Sequence, residues 1–199
     1  MQSNTNKFKK SQCPRLQLFK HNLCVHNMWN NIPEKIIITG TPGVGKTTIA
    51  KILSEKIGLE YISANEFLKK EKGIKKTIAD LNKLKKLKYK KHAIIEGHLC
   101  CEVKLGETIY VLRLNPKELE KRLKKRKYSK KKIEDNILSE LLDYCLIVSE
   151  KKYKKVIQID CTGKKPDEII KQILKQTTDR NPNWISKLEE SYLKQYMQV

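Results

Sequence analysis

The sequence predicts an α/β fold in which helices cover both faces of a central parallel sheet. Short apolar runs typical of buried strands alternate along the chain with segments whose apolar residues have helical spacing. The first run, residues 36–38, leads through a glycine-rich loop into a helical segment that begins near Thr48. At 199 residues the chain is long enough for one such domain with a full core. Ligands of open α/β sheets bind at the carboxyl ends of the strands, so we expect the functional residues there.

The elements of this fold follow one another from residue 34 onward. The first helix ends at Gly58, because glycine readily takes the left-handed conformation that closes a helix. Pro116 suits the first turn of a later helix, which carries Leu119 and Leu123 on one face. The other elements are predicted in this order: a strand over 60–63, a helix over 65–70, a lysine-rich helical stretch over 77–88, strands over 93–96 and 108–114, helices over 117–127 and 130–151, a strand over 156–160 and a helix over 166–176. The tail over 183–197 has near-helical apolar spacing and is expected to pack on the body of the domain.

Residues 1–33 differ in composition from this single domain over 34–199. They are rich in asparagine, glutamine and lysine, contain no acidic residue and show no sustained apolar period. We therefore predict a poorly ordered N-terminal extension. Cys13, His21, Cys24 and His26 could bind a metal in principle, but their spacing matches no zinc module, and chance is the better explanation.

The formal net charge of +21 is large for a chain of this length. Two runs supply most of it: residues 69–91 hold eleven lysines against Glu71 and Asp80, and residues 121–132 hold nine basic residues without an acid. Such a field raises the rate of encounter with polyanions and could hold RNA without sequence preference. The alternative is a lysine-rich compositional bias, in which these runs only form a well-solvated surface.

The apolar and cysteine patterns favour a cytoplasmic protein. No run approaches the ~20 apolar residues of a membrane span, and the N-terminus lacks the continuous apolar stretch of a signal peptide. We therefore expect no membrane partner. The six cysteines contain no C-x-x-C pair, and the adjacent Cys100 and Cys101 are poorly suited to a structural disulfide. Reduced thiols in an intracellular protein are the simplest interpretation.

The loop after the first strand fits the G-x-x-x-x-G-K-[ST] phosphate-binding pattern, as GTPGVGKT over residues 40–47. A strand, a glycine loop and a helix in this order aim backbone N–H groups and the positive end of the helix dipole at one phosphate cluster. Lys46 would supply a mobile charge for the phosphates, and the Thr47 hydroxyl could bind Mg²⁺. A plain glycine-rich turn is the alternative, but the flanking strand and helix argue against it. The sequence therefore predicts a nucleoside triphosphate site whose loop residues include Gly43, Val44 and Gly45.

The strand over 93–96 closes on an acidic residue, and a histidine follows two residues later. Glu96 stands where a P-loop protein keeps its second acidic residue and could hold Mg²⁺ through a water molecule beside Thr47. His98 would lie in the cleft near the phosphates, where it could orient or deprotonate a nucleophile. A surface carboxylate and a structural histidine are the alternatives.

Arginine is rare in this lysine-rich chain, which draws attention to three of its five arginines. Arg122 and Arg126 are four residues apart and share one helix face, while Arg113 ends a predicted strand. A planar guanidinium can bind phosphate oxygens in a bidentate manner and stabilise transferring charge where lysine cannot. We expect Arg126 to act in catalysis and Arg113 and Arg122 to contact phosphate, with an ordinary basic helix face as the alternative.

Together these segments resemble the adenylate kinase isoenzyme 6 family over roughly residues 35–178. The resemblance depends on the order and spacing of residues 40–48, 96–98, 111–113, 122–123, 126–128, 131–133 and 135–136. It implies a three-layer P-loop nucleoside monophosphate kinase fold, with a monophosphate-binding insert near 63–86 and a short lid near 125–135. Two features depart from the eukaryotic members, which carry aspartate where this chain has Glu96 and have an acidic insert where this one is rich in lysine.

The resemblance also implies an activity, substrates and partners. ATP and AMP would be the substrates and Mg²⁺ the cofactor, with ATPase activity alongside the kinase reaction. Lys46, His98 and the lid arginine Arg126 would be catalytic, Thr48 would help to bind ATP, and Lys165 belongs to a loop expected against adenine. The family is linked to maturation of the small ribosomal subunit, through a ribosomal protein and rRNA. An ATP-switched assembly factor with little kinase role therefore remains an alternative to the kinase.

Overall fold

The computed structural model describes residues 33, 35–71, 74, 75 and 78–197. The extension predicted over 1–33 therefore lies outside the described residues except for Pro33, as do Cys13, His21, Cys24 and His26. The strands are β1 (Lys35–Thr39), β2 (Glu60–Ser63), β3 (Ile74–Lys75), β4 (Ile78–Ala79), β5 (Ala93–Glu96), β6 (Thr108–Arg113) and β7 (Lys155–Asp160). The helices are α1 (Lys46–Ile57), α2 (Ala64–Lys70), α3 (Leu81–Leu84), α4 (Pro116–Lys125), α5 (Lys130–Leu141), α6 (Tyr144–Lys152), α7 (Pro166–Lys175), α8 (Trp184–Lys187) and α9 (Glu190–Met197). Two 3₁₀ helices cover Lys85–Tyr89 and His98–Glu102.

Five of these strands form a parallel sheet in the order β2-β5-β1-β6-β7. The central strand β1 pairs with β5, where Ile38 lies opposite Glu96, and with β6, where Ile38 lies opposite Tyr110. The two neighbours of β1, which are β5 and β6, lie on opposite sides of it and both follow it in the chain, which creates a crevice at its carboxyl end. The prediction of a parallel sheet flanked by helices is confirmed.

The strands next to the crevice are apolar on both faces because helices cover both faces. In β1 and β5 the isoleucines are at most 1% exposed, so neither strand shows the alternation of a half-solvated sheet. Ile37 and Ile95 lie opposite each other and pack in one cluster with Leu84 and Leu87 from the segment after α3. The core therefore holds the carboxyl ends of β1 and β5 in fixed positions, which sets the geometry of whatever follows them.

The lysine-rich stretch over 77–88 is not the single helix that was predicted. Asp80 accepts a hydrogen bond from the Asn82 N–H at 3.0 Å and caps the one-turn helix α3, which passes into the 3₁₀ helix Lys85–Tyr89. Leu84 and Leu87 are both fully buried at a spacing of three residues. This spacing matches the three residues per turn of a 3₁₀ helix, so burial of both leucines favours the tighter helix.

The helix predicted over 130–151 is also divided. Helix α5 ends at Leu141, and Asp143 takes a left-handed conformation with φ of 54° before α6 begins at Tyr144. The carboxylate of Asp143 accepts hydrogen bonds from the Arg113 guanidinium and, at 2.9 Å, from the Asn181 side chain. These contacts come from distant parts of the chain, and no glycine or proline marks the break in the sequence.

The C-terminal tail packs on the domain as two short helices. Trp184 of α8 and Tyr192 of α9 are 3% and 8% exposed. The ammonium group of Lys117 in α4 bonds to the Glu189 carboxylate at 3.1 Å and lies over the Tyr192 ring. The tail is therefore tied to α4, which also borders the glycine-rich loop.

Candidate active site

The loop that joins β1 to α1 requires glycine at positions where the chain touches its neighbours. A Cβ on Gly40, whose φ is +136°, would lie 2.3 Å from the Leu112 carbonyl oxygen. A Cβ on Gly43, at φ of +106°, would lie 2.7 Å from the Leu119 side chain. Both contacts are closer than real Cβ atoms allow, and both φ values are unfavourable for other residues. The loop therefore lies directly on β6 and α4.

The loop ends at the N-terminus of α1. Gly45 caps this twelve-residue helix with φ of 109° and offers no side chain to its first N–H groups. The side chains of Thr47 and Thr48, in the first turn, are exposed. An uncapped helix N-terminus beside a glycine loop concentrates N–H donors and the positive end of the dipole. This arrangement suits a phosphate group.

Lys46 folds back onto the loop that precedes it. Its Nζ donates to the carbonyl oxygens of Gly40 and Thr41 at 2.8 and 3.0 Å, and the residue is only 8% exposed. Burial lowers the pKa of Lys46 below its ordinary value, while the nearby carboxylates of Glu96 and Glu140 act in the opposite direction. The ammonium group is thus held inside the loop, next to the place where phosphate oxygens would lie.

Glu96, at the end of β5, lies beside the first turn of α1, as expected from the strand order. Its Oε1 accepts a hydrogen bond from the Thr47 hydroxyl at 3.3 Å and one from the Tyr61 hydroxyl at 3.0 Å. Burial and the charge of Glu96 raise the pKa of Tyr61 to about 12, so the phenol keeps its proton. A carboxylate and a hydroxyl from two elements are suitable oxygen ligands for Mg²⁺.

Tyr61 was not predicted from the sequence as a site residue. It occupies a strand in which an aromatic residue is ordinary, and only the pairing of β2 with β5 brings it next to Glu96. The ammonium group of Lys51 lies 5.6 Å from the centre of the Tyr61 ring. Tyr61 is therefore held between a helix lysine and the carboxylate at the end of the neighbouring strand.

His98 begins the 3₁₀ helix after β5. Its carbonyl oxygen accepts hydrogen bonds from the Thr39 hydroxyl at 3.1 Å and the Cys101 thiol at 3.0 Å, which fix the backbone. Burial lowers the pKa of His98 to about 4, and the charges of Lys46 and Lys132 act in the same direction. The imidazole is therefore neutral near pH 7 and can accept a proton.

The three arginines singled out in the sequence have different surroundings. Arg122 reaches the glycine loop: its Nη1 donates to the Val44 carbonyl oxygen at 3.4 Å, and its Nη2 pairs with Glu118 one turn earlier in α4. Arg126 caps the C-terminus of α4 through its backbone N–H, and its side chain is exposed. Its part in catalysis stays a prediction.

The expectation that Arg113 contacts phosphate from the rim is wrong. Arg113 is 1% exposed, and its Nε donates to Oε1 of Glu140 at 2.8 Å. Its Nη2 donates to the Glu140 carbonyl oxygen at 3.2 Å and to the carboxylate of Asp143. Two acids at the junction of α5 and α6 therefore hold this guanidinium in the interior, because a buried charge needs paired partners.

Glu140 is a buried residue that the sequence analysis missed. Besides Arg113, its carboxylate accepts hydrogen bonds from the Thr41 hydroxyl at 2.5 Å, the Leu114 N–H at 3.2 Å and the Trp184 indole at 3.3 Å. One signal could have found it. Glu140 continues the buried stripe of α5 formed by Ile133 and Ile137, where an unpaired acid would be costly.

The loop expected against adenine follows β7. Thr162 accepts a hydrogen bond from the Asn115 N–H at 3.0 Å, which ties this loop to the segment after β6. Lys164 bonds to Asp179 at 2.6 Å, whereas the Lys165 side chain is exposed at the start of α7. The loop therefore lies at the same edge of the sheet as the glycine loop, and adenine contact by Lys165 stays a prediction.

The lysine runs lie mainly on the surface in the parts that the structure describes. A groove of about 650 Å³ is lined by five lysines together with Asn82, Tyr89, Glu102 and Val103. The five are Lys85, Lys86, Lys88, Lys104 and Lys152. Tyr89 is 82% exposed there. Within residues 121–132, every lysine is exposed.

Three further observations concern the described residues alone. Cys100, Cys101, Cys145 and Cys161 are free and buried. In the described part of the chain, no three histidine, cysteine or acidic side chains cluster as a metal site would require. None of the helices described is both long and apolar enough to cross a bilayer.

Comparison with known proteins gives relatives in both sequence and structure. A family model described as an AAA domain matches residues 36–143. A protein of Pyrococcus furiosus named "Putative adenylate kinase" is 40% identical over 148 residues, which cover 70% of this chain and 81% of that protein. A protein of the same name from Methanocaldococcus jannaschii is 38% identical over 152 residues, 70% of this chain and 84% of that one. In fold, the chain resembles shikimate kinase from Acinetobacter baumannii, solved with shikimate, with a TM-score of 0.56 at 15% identity over 75% of this chain and 95% of that one.

Proposed function

The chain belongs to the family of archaeal P-loop proteins named "Putative adenylate kinase", and on this premise we propose that it transfers the γ-phosphate of MgATP to AMP. The resemblance found in the sequence is thereby confirmed at the level of the family. The observation that carries the proposal is the position of Lys46, whose ammonium group lies inside the glycine loop beside Thr47 and Glu96. A nucleoside monophosphate kinase needs a cation at this place to hold the donor phosphates.

In the proposed reaction an oxygen of the AMP phosphate attacks the γ-phosphorus of ATP. The bond from the γ-phosphorus to the β–γ bridging oxygen breaks, and two ADP molecules result. The loop N–H groups from Gly43 to Thr48 would hold the donor, and Lys46 would move from its carbonyl partners to the phosphates. The protein mainly positions the reactants and stabilises charge in such a transfer.

Arg122 and Arg126 are proposed to neutralise the transferring group. Arg122 already lies against the loop at the Val44 carbonyl oxygen, which supports a direct contact with phosphate. Arg126 is exposed one turn further along, at the start of the proposed lid over 125–135. The exposed guanidinium of Arg126 can approach the donor only if the lid moves toward the loop. Lys165, in the loop after β7, would contact adenine.

Mg²⁺ is the proposed cofactor, and the residues present suit it. Thr47 and Glu96 place a hydroxyl and a carboxylate oxygen 3.3 Å apart at the carboxyl edge of the sheet. When bound, the ion would neutralise phosphate charge and orient the donor. Tyr61 would keep Glu96 turned toward Thr47, because its hydroxyl donates to the same carboxylate oxygen.

AMP is proposed to bind between the phosphate loop and the insert over 63–86. That segment begins at the carboxyl end of β2, next to Glu96, and Gly97 packs closely against it: a Cβ there would lie 2.7 Å from that of Ala64. The many lysines of the insert suit an anionic acceptor. The neutral imidazole of His98 would orient the acceptor, or a water molecule when AMP is absent.

A second candidate function has support from the exposed lysines. The groove beside Tyr89 combines five lysines with an exposed aromatic ring, which is the combination that binds single-stranded nucleic acid by charge and stacking. An ATPase that acts in small-subunit maturation, with rRNA and a ribosomal protein as partners, would use such a surface. The free and buried cysteines agree with a cytoplasmic location for either function.

The two functions differ in what stimulates ATP turnover. ADP formation is measured by a coupled assay with ATP alone, with AMP or another nucleoside monophosphate, and with a small-subunit RNA fragment. Strong stimulation by AMP, with two ADP formed per ATP consumed, supports the kinase. Turnover that AMP leaves unchanged and RNA increases supports the assembly factor, and absence of turnover under every condition would contradict both.

A further inference from the structure

The carboxylate of Glu140 joins three distant parts of the chain at one buried point. Its Oε2 accepts the Thr41 hydroxyl of the glycine loop at 2.5 Å. Its Oε1 accepts Nε of Arg113 at 2.8 Å and the Trp184 indole at 3.3 Å. The side chains of Glu140 and Arg113 are each 2% exposed, so water cannot replace these partners.

Thr41 contacts both Glu140 and Lys46. The Thr41 carbonyl oxygen accepts Nζ of Lys46 at 3.0 Å, while the Thr41 side chain is bound to Glu140. Glu140 thus acts on the phosphate-binding lysine through its hydrogen bond to Thr41.

Arg113 stabilises the negative charge of this buried carboxylate. An ionised side chain removed from water is costly unless it is paired and its lone pairs are satisfied. Arg113 supplies the countercharge, and the Leu114 N–H donates a further hydrogen bond to Oε1 at 3.2 Å. Arg113 ends the core strand β6 and Leu114 follows it directly, so these two partners hold Glu140 in a fixed position relative to the sheet.

We propose that Glu140 is a positioning residue that sets the first limb of the phosphate-binding loop, and that it transmits nucleotide occupancy from Thr41 to Trp184 in the C-terminal tail. The inference rests on the proposed function in one respect, which is that ATP binds at this loop. Movement of Lys46 to the phosphates releases the Thr41 carbonyl oxygen. The change at Thr41 alters the hydrogen bond that Glu140 shares with the Trp184 indole.

The first test compares the Thr41→Val and Glu140→Gln variants and the double variant by calorimetric titration with MgATP. Each single variant is expected to weaken ATP binding by about tenfold, the effect of losing one hydrogen bond to a charged group. The double variant is expected to bind no more weakly than the weaker single variant, because both changes remove the same contact. Thr41→Val keeps side-chain shape and decides the question alone if Glu140→Gln does not fold.

The matched control is Ser149→Ala. Ser149 is also fully buried, but its hydroxyl donates within α6, to the Cys145 carbonyl oxygen at 2.6 Å, and not to the glycine loop. A purely structural role for Glu140 would lower the melting temperature and leave ATP affinity unchanged, as is expected of the control. That result, or strictly additive losses in the double variant, would overturn the inference.

The second test follows Trp184 fluorescence in a Trp29→Phe background, which leaves one tryptophan in the chain. MgATP is expected to change the emission of this parent and to leave that of its Thr41→Val variant unchanged at saturation. A parent that binds ATP without any emission change, or a variant that responds like the parent, would overturn the transmission to Trp184. If the parent binds no ATP by calorimetry, the proposed function itself is contradicted. This result differs from the two outcomes above, in which ATP binds and only the emission fails to respond as expected.

Discussion

The hydroxyl of Tyr61 donates a hydrogen bond to Oε1 of Glu96 at 3.0 Å, across two neighbouring parallel strands. The same oxygen accepts the Thr47 hydroxyl at the start of α1. A residue of β2 therefore orients the carboxylate that we propose as part of the magnesium site. This relationship gives the first prediction.

Tyr61→Phe is expected to raise the Mg²⁺ concentration needed for half-maximal turnover by about three- to tenfold, because Glu96 loses the neutral donor that orients it. The fold should be retained, since phenylalanine keeps the ring under Lys51. The measurement is ATP turnover over a magnesium titration at saturating ATP. Tyr89→Phe, which removes the hydroxyl of an exposed tyrosine, serves as the matched control. An unchanged magnesium dependence in Tyr61→Phe would show that Tyr61 has no part in the site.

Lys46→Met is expected to reduce turnover by about 10²-fold or more with every acceptor, because the variant loses the cation nearest the donor phosphates. The melting temperature at pH 7 should stay the same or rise. The pKa of Lys46 is lowered by burial, so the unfolded chain binds this proton more tightly and the charged lysine costs stability in the folded state. Turnover and thermal unfolding are measured on the same preparation. Near-normal turnover in Lys46→Met would contradict the proposed site.

His98→Gln is expected to slow ATP hydrolysis without AMP by about 10²-fold, if the imidazole orients or deprotonates water. The histidine is neutral above its pKa of about 4, so the parent rate should not show the usual fall near pH 6.5 and should decline only toward pH 4. ATP affinity should change little, because the loop N–H groups carry the binding. If variant and parent hydrolyse ATP at equal rates between pH 5 and 8, His98 has a structural role only.

The lowered pKa of His98 also predicts how stability changes with pH. Since burial lowers the folded-state pKa of His98 below its ordinary value of 6.5, the unfolded chain binds more protons between these two values. The contribution of His98 to the stability of the parent is therefore fully present above pH 6.5 and is lost as the pH falls toward 4. In His98→Gln this part of the pH dependence should disappear, which urea unfolding at pH 7.5 and pH 5 can measure.

A further prediction concerns the lysine groove. Reversal of Lys85, Lys86, Lys88 and Lys104 to glutamate is expected to weaken binding of a labelled small-subunit RNA fragment and to spare ATP hydrolysis measured without RNA. Each lost phosphate contact should reduce the slope of log affinity against log salt by about 0.7 for a single strand. Fluorescence anisotropy at three salt concentrations measures both quantities.

Tyr89→Ala separates stacking from charge in the same assay. It is expected to weaken RNA binding by about tenfold at every salt concentration and to leave the slope unchanged, because stacking of one base contributes about 1–3 kcal/mol. Tyr89→Phe keeps the ring and is the matched control. If the four reversals leave the salt slope of RNA affinity unchanged, or if no RNA binds at low salt, the lysine runs are explained by compositional bias alone.

The sequence by itself determined the parts of the site that are local. An isoleucine run, a glycine loop and a helix start occur within residues 35–57, and each is specified by its own period or dihedral requirement. The positions of Glu96 and His98 at this edge could be predicted as well, because they stand at the end of a buried strand and the carboxyl ends of parallel strands meet at one edge. These inferences needed no knowledge of how distant segments pair.

The tertiary structure alone decided which charged residues are buried and with whom they pair. Arg113 and Glu140 are 27 residues apart, and neither the break of the helix at Asp143 nor the capture of Arg113 leaves a local mark such as glycine or proline. The order β2-β5-β1-β6-β7 likewise brings Tyr61 to Glu96, 35 residues away. Pairing of buried charges depends on desolvation and on the packing of whole elements, which apolar period and composition do not encode.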